Sequence, residues 1–175
     1  MSDLQEKLRS RRSCRSFQPV MPAREDIDQI IGVGLFAPTG RGSQSTKIIA
    51  VTNKKLRDLI AAENARIGGW EEGFDPFYGA PVILIVLADK NCATRVYDGS
   101  AALAQMMISA QDLGLSTCWI HRAKEEFEEE FGQKILKELG LSGEYEGIGH
   151  LALGFAKDPI PAPAPREGDR AFYLE

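Results

Sequence analysis

The segment Arg11-Arg12-Ser13-Cys14-Arg15-Ser16-Phe17 gathers three guanidinium groups and two hydroxyls within seven residues. In an extended chain side chains alternate, so Arg11, Ser13 and Arg15 face one way. Two guanidiniums flanking a hydroxyl can grip a phosphate dianion through charge-assisted, bidentate hydrogen bonds. The same residues would equally suit a solvated basic turn after a helix, where arginine complements the C-terminal dipole. A second segment, Ala37-Pro38-Thr39-Gly40-Arg41-Gly42-Ser43-Gln44, reads as a helix end followed by a small-residue loop. Gly40 and Gly42 put no side chain between the backbone amides and a flat or anionic ligand, although an ordinary connector has the same composition. A third, Gly114 to Arg122 (GLSTCWIHR), ends a strand at Trp119, Ile120 and His121. Backbone amides there could meet a ligand edge; a Trp followed by a lone His also fits core packing beside a rim residue.

Few other chemistries find residues. His121 and His150 are the only histidines, with no H-E-x-x-H and no carboxylate cluster at ligand spacing, so no metal site is expected. Gly40-Arg41-Gly42 and Gly147-Ile148-Gly149 begin like dinucleotide fingerprints but lack the third glycine, and no G-x-x-x-x-G-K or G-x-S-x-G occurs. Cys14, Cys92 and Cys118 are odd in number and far apart, which suggests neither a disulfide framework nor a thiolate site. His150, in an apolar strand, reads as a hydrogen-bonded core residue, and Cys14 and Cys118 as packing residues. With no side-chain nucleophile or base in evidence, the expectation is chemistry carried by a bound cofactor.

The elements that must position these segments follow from periodicity. A short helix spans Asp3 to about Arg11. The stripe Ile27, Ile30, Ile31, Leu35 predicts a helix over 24–36 that Pro38 ends, with Gly34 marking a close backbone approach. Strands are predicted at 46–52, 82–87, 116–120 and 147–155. The run Val82 to Leu87 (VILIVL), apolar on both faces, is the central one. Helices are predicted over 55–65, with Leu56, Leu59 and Ile60 inward; from Asp98, as its cap, to Leu113, stopped by Gly114; and over 124–139. In the last, Glu125, Glu126, Glu128, Glu129 and Glu130 form a solvated face while Phe127 and Phe131 point inward. Gly68 to Pro76 reads as a loop. Pro159, Pro161, Pro163 and Pro165 make the C-terminal stretch an extended arm. The sum is a three-layer α/β/α sandwich in one domain over 1–175, with the arm at 159–175. A nearly uncharged helix and an arm with little of its own chain to pack against predict a homodimer.

The 175 residues carry a net charge of −4, against a broad basic surface for nucleic acid. The longest apolar stretch, 81–88, is far short of the roughly 20 residues of a membrane span, and the polar start MSDLQ lacks a secretory apolar core, so a cytoplasmic location away from membranes is expected.

Taken together and in order, R-R-S-x-R, A-P-T-G with Ser43-Gln44, A-P-V-I-L-I-V, the helix D-G-S-A-A-L-A-Q-M-M with G-L-S-T-C-W-I, and A-L-G-F with Arg166 after prolines resemble the nitroreductase family, of which this would be a short member. The resemblance implies an α+β fold with a mostly antiparallel sheet and a domain-swapped C-terminal arm in a homodimer. It implies two FMN sites at the subunit interface, reduction by NADH or NADPH, and a small-molecule acceptor such as a nitroaromatic or quinone in the same pocket. Arg11 and Ser13, with Arg12 in the same turn, match positions that hold the FMN phosphate, and Arg15 matches a basic residue near the ribityl chain and the N1/O2 ring edge. Pro38, Thr39 and Gly40 match a loop bordering the ring from one subunit. Trp119, Ile120 and His121 match the strand end that meets the ring edge, and Arg166 matches a residue completing the phosphate site. The chain departs from many members in having Gly42 before Ser43-Gln44 and Ser45-Thr46 after, and in its short stretch between Ala88 and Asp98. A non-catalytic flavin or nucleotide-binding module, and another flavin reaction such as dehalogenation or flavin fragmentation, are the competing readings.

Overall fold

A computed structural model describes residues 2–168 and 170–175. Four strands, β1 (Thr46–Val51), β2 (Val82–Asp89), β3 (Ser116–Ile120) and β4 (Tyr145–Gly154), form one antiparallel sheet in the order β1-β2-β4-β3. Strand alternation sorts the core into two layers. On one face Ile83, Ile85 and Leu87 meet Ile60, Phe127, Ile135 and Leu136, which lie on helices α3 (Lys54–Gly68), α5 (Ala123–Glu128) and α6 (Glu130–Glu138). On the other, Val82, Leu84 and Val86 meet Ile27, Ile30, Leu103 and Met106, on α2 (Arg24–Leu35) and α4 (Arg95–Asp112). Every β2 side chain from Val82 to Ala88 is buried, as its two-faced apolar pattern predicts. The fold is therefore α+β, with helices on both sides of the sheet.

Local chemistry sets the boundaries. Ser2 caps α1 (Asp3–Ser10) in a reciprocal box with Gln5, and Asn53 caps α3 through Leu56 N–H at 3.1 Å. Gly114, at φ +76, takes up the left-handed turn that ends α4. A Cβ on Gly34 would lie 2.7 Å from Met106 Cγ, so the glycine is what lets α2 and α4 approach. Gly147 and Gly149 flank an irregularity in the β2–β4 register and admit the start of α5 and the Trp119 indole against β4.

Four expectations fail for identifiable reasons. The single helix over 124–139 is two helices, broken at Glu129, whose extended backbone (ψ 166) redirects the chain so that Gly132 packs on the α5 backbone. Glu126 is not solvated but fully buried, because Asn64 and His150 supply it with hydrogen bonds. Leu59 is exposed; the inward stripe of α3 runs through Arg57, Ile60, Ala61 and Asn64, two of them polar residues satisfied inside the protein. Asp98 is not the cap of α4, a place taken by Thr94, but sits buried one turn in, facing the loop before β1.

Candidate functional site

The arginine-rich segment leaves α1 and runs along the edge strand β3. Ser13 bridges Thr117 in parallel, Cys14 N–H donates to the Thr117 carbonyl at 2.9 Å, and further on Phe17 bridges Ala156 beyond β4. Cys14 and Cys118 are buried in the same core layer, which anchors the segment on the sheet. Burial pushes the Cys118 thiol up in pKa, while Arg15, Ser13 and Arg11 oppose that push.

Arg11 and Arg12 also line a cavity of about 420 Å³ with Ser10, Ser116 and Thr117 and with Ile160 to Pro163 of the arm. Arg11 Nη1 and Arg12 Nε and Nη2 are buried there without a hydrogen-bond partner. Arg12 Nη1 alone finds one, the Arg11 carbonyl. Burial first, and the neighbouring Arg12 second, lower the pKa of Arg11 from its ordinary value. Guanidinium donors withdrawn from water and left unpaired are costly, and an anion with several acceptor oxygens would relieve the cost. A phosphate group fits this donor set.

Further along the same edge, Trp119 and His121 lie side by side, their rings 6.3 Å apart and 18° from parallel. With Arg122, Ala123, Val96 and Ser100 they line a cavity of about 610 Å³. Trp119 and Ile120 are half-buried and His121 is exposed. The turn out of β3 passes through Arg122 in the left-handed region (φ 79), and Asn64 Nδ2 donates to the His121 carbonyl at 2.8 Å. Asn64 and Glu126 escaped the sequence reading. The signal that could have found them is His150, a polar residue in an apolar strand that requires a partner.

The remaining site candidates lie elsewhere in the chain. Pro38, Thr39 and Gly40 precede β1, the opposite edge of the sheet from β3, about 14 Å away at the usual strand spacing. The loop is held by the buried Asp98 carboxylate, which accepts from Gly40 N–H (3.0 Å) and from the Ser45 and Thr94 hydroxyls (2.7 and 3.1 Å). Arg41 at its tip, with φ 55, is exposed. Arg166 is exposed on the arm and does not line the Arg11 cavity. The Gly68 to Pro76 stretch covers neither cavity: Trp70 and Phe74, ring centroids 4.9 Å apart, lie along a groove on α3. Large apolar side chains remain exposed at Val33, Leu35 and Phe36 of the α2 end, Val96 and Tyr97 of α4, and Phe172, Tyr173 and Leu174 of the arm. Among the described residues no group of His, Cys, Asp and Glu is arranged to hold a metal ion, and no helix is long and apolar enough to cross a membrane.

Comparison with known proteins places this geometry in context. The nitroreductase family model matches residues 8–155. A nitroreductase with bound FMN from Desulfitobacterium hafniense is similar over 100% of both chains, with a TM-score of 0.89 and 26% identity. A nitroreductase with bound FMN from Bacteroides fragilis has the same fold, with a TM-score of 0.88 at 22% identity over 100% of both chains. A curated protein of Archaeoglobus fulgidus, provisionally named NADH dehydrogenase/NAD(P)H nitroreductase, is 24% identical over 164 residues, 90% of this chain and 88% of its own.

Proposed function

Because this chain belongs to the nitroreductase family, we propose that it is an FMN-dependent oxidoreductase that uses NADH or NADPH to reduce electron-poor acceptors such as nitroaromatics or quinones. The observation that carries the reading is the set of buried, unpartnered guanidinium nitrogens on Arg11 and Arg12 at the β3 edge. FMN in the solved relatives supports it, as does the reductant in the archaeal relative's name. When bound, FMN would supply the redox chemistry, taking a hydride equivalent from the nicotinamide and yielding it to the acceptor.

The chain's own residues have simpler tasks. Arg11, Arg12 and Ser13 hold the phosphate, and Arg15, exposed beside them, sets a positive charge toward the ribityl chain and the ring edge. Trp119, Ile120 and His121 border the ring at the strand end. Pro38, Thr39 and Gly40 approach it from a second subunit, and Arg166 completes the phosphate site from the arm. A homodimer follows from this assignment, since one chain keeps the loop and the Arg11 cavity at opposite edges of its sheet. The exposed Phe36, Tyr97 and Phe172 to Leu174 are apolar surface that such an interface would cover. On this reading residues 1–175 are one FMN-binding domain with an arm at 159–175 that embraces the partner.

The test is consumption of NADH or NADPH by FMN-loaded protein with menadione or a nitrofuran as acceptor. Turnover supports the oxidoreductase; FMN retained without turnover would make the protein a flavin-binding module instead.

A further inference from the structure

Three polar side chains meet beneath the end of β3. Glu126 and His150 are fully buried and Asn64 nearly so. His150 Nε2 lies 2.9 Å from Glu126 Oε2, while Asn64 Nδ2 donates at 2.7 Å to Glu126 Oε1 and at 2.8 Å to the His121 carbonyl. His150 Nδ1 is buried without a partner, and Phe77 stands edge-on to the ring at 5.4 Å. The tautomer with its proton on Nε2 leaves no buried donor unsatisfied, so His150 donates to Glu126. The carboxylate then collects donors from β4 and α3, and Asn64 extends the chain of bonds to the backbone of the turn.

A trio of this kind is a poor way to gain stability. Well-packed apolar residues of similar volume would be equal or better, since removing a carboxylate from water costs several kcal/mol before any pairing. What hydrogen bonds add over apolar filling is direction, because only one placement of α5 against α3 and β4 satisfies every member. The neighbouring contacts act in the same sense. Gln133 Nε2 donates to the Phe127 carbonyl at 2.6 Å, and the missing Cβ of Gly147 lets the Ala123 carbonyl lie against β4. The turn from His121 through Arg122 into α5 is thus gripped from α3, β4 and α6.

We propose that Asn64, Glu126 and His150 are positioning residues that fix the His121 carbonyl inward and so set the shape of the β3 end that meets the flavin ring. The proposal rests on the FMN reading for its consequence, but the clamp itself belongs to the protein without ligand.

Its test uses the full chain. In FMN-free protein, Asn64→Ala releases the His121 carbonyl, and exchange of the residue-126 amide, whose N–H donates to the Arg122 carbonyl at 3.0 Å, is expected to quicken at least ~10-fold while β2 stays protected. With FMN added, Asn64→Ala and the apolar pair Glu126→Met/His150→Leu are expected to keep FMN binding within ~5-fold, since the phosphate end is untouched, yet to shift the flavin absorption maxima and midpoint potential. Glu126→Gln keeps one acceptor oxygen, enough for Asn64 but not for His150 as well, so its exchange and flavin spectrum are expected between those of wild type and Asn64→Ala. Wild-type exchange of the residue-126 amide in Asn64→Ala, or an unshifted flavin spectrum and potential in a folded apolar pair, would overturn the proposal. Should the apolar pair not fold, Asn64→Ala decides alone. Wild-type protein that fails to bind FMN would instead sink the flavin reading and leave the exchange result to judge the clamp.

Discussion

Arg57 on one side and Arg11 with Arg12 on the other are at least partly buried, and their surroundings differ in kind. Arg57 on α3 has every acceptor it requires: Nε donates to the Ala80 carbonyl at 2.9 Å, its terminal nitrogens reach Asp75 and Asp58, and Phe77 lies 5.9 Å from its carbon. Asp75 is itself fixed by the Phe77 and Gly79 N–H groups at 2.9 and 2.8 Å. Arg11 and Arg12, at the β3 edge, have one carbonyl between them and three orphaned nitrogens. Evolution of a scaffold satisfies polar groups internally; a binding site leaves the demand for its ligand to meet. The contrast separates an arginine that holds the loop to α3 from arginines that wait for an anion, and it makes opposite predictions for the two.

Arg57→Ala should have the largest effect, about 3 kcal/mol lost from the stability of FMN-free protein, because Asp75 and the Ala80 carbonyl lose their partner. Urea unfolding measures it, and FMN binding by the folded fraction should be unchanged. A loss below about 1 kcal/mol would remove the scaffold half of the comparison. Arg11→Ala combined with Arg15→Ala should act the other way, weakening FMN binding about 10- to 100-fold while the ligand-free protein keeps or gains stability. A smaller effect is expected from inorganic phosphate alone: at ten times its dissociation constant it should stabilise wild-type protein by about 1.4 kcal/mol and leave the Arg11→Ala variant unprotected, read as a shift in thermal midpoint.

The smallest effect concerns the loop at the far edge. Burial pushes the Asp98 carboxyl up, but Gly40 N–H and the Ser45 and Thr94 hydroxyls outweigh it and hold the pKa below the usual carboxylate range. A depressed folded-state pKa means stabilisation that is full above the unfolded value of about 3.9 and lost as pH falls through the folded one. Asp98→Asn should therefore cost about 1 kcal/mol at neutral pH and flatten the acid limb of the stability profile below about pH 4.

Much of the frame was legible in the residues. The all-apolar β2, the inward Ile27 and Ile30 of α2 and the stop at Gly114 are decided by local pattern and backbone chemistry, and the structure has them where the pattern puts them, whereas Leu35 at the end of the predicted α2 stripe is exposed. The break at Glu129 was not: its local mark is Gly132, which packs on the α5 backbone, and its partners are distant, with Asn64 and His150 holding Glu126 inward. Polar residues on a helix read as exposed, which is why Arg57 and Asn64 were passed over in favour of Leu59. At the site, the run of arginines and its alternation were visible, but its seat beside β3 is a long-range pairing of Ser13 with Thr117 that no local period encodes. Asp98 stands out in the sequence for its place at a helix start, whereas two of its partners, Gly40 and Ser45, lie more than fifty positions earlier in the chain.

The central claim, that the β3 edge with its unpaired arginines binds FMN, is tested most directly by the visible absorption of wild-type protein after addition of FMN and desalting. The account predicts retained flavin bands near about 370 and 450 nm, lost in the Arg11→Ala/Arg15→Ala variant. A wild-type protein that emerges colourless, or a variant that emerges as yellow as wild type, would contradict it.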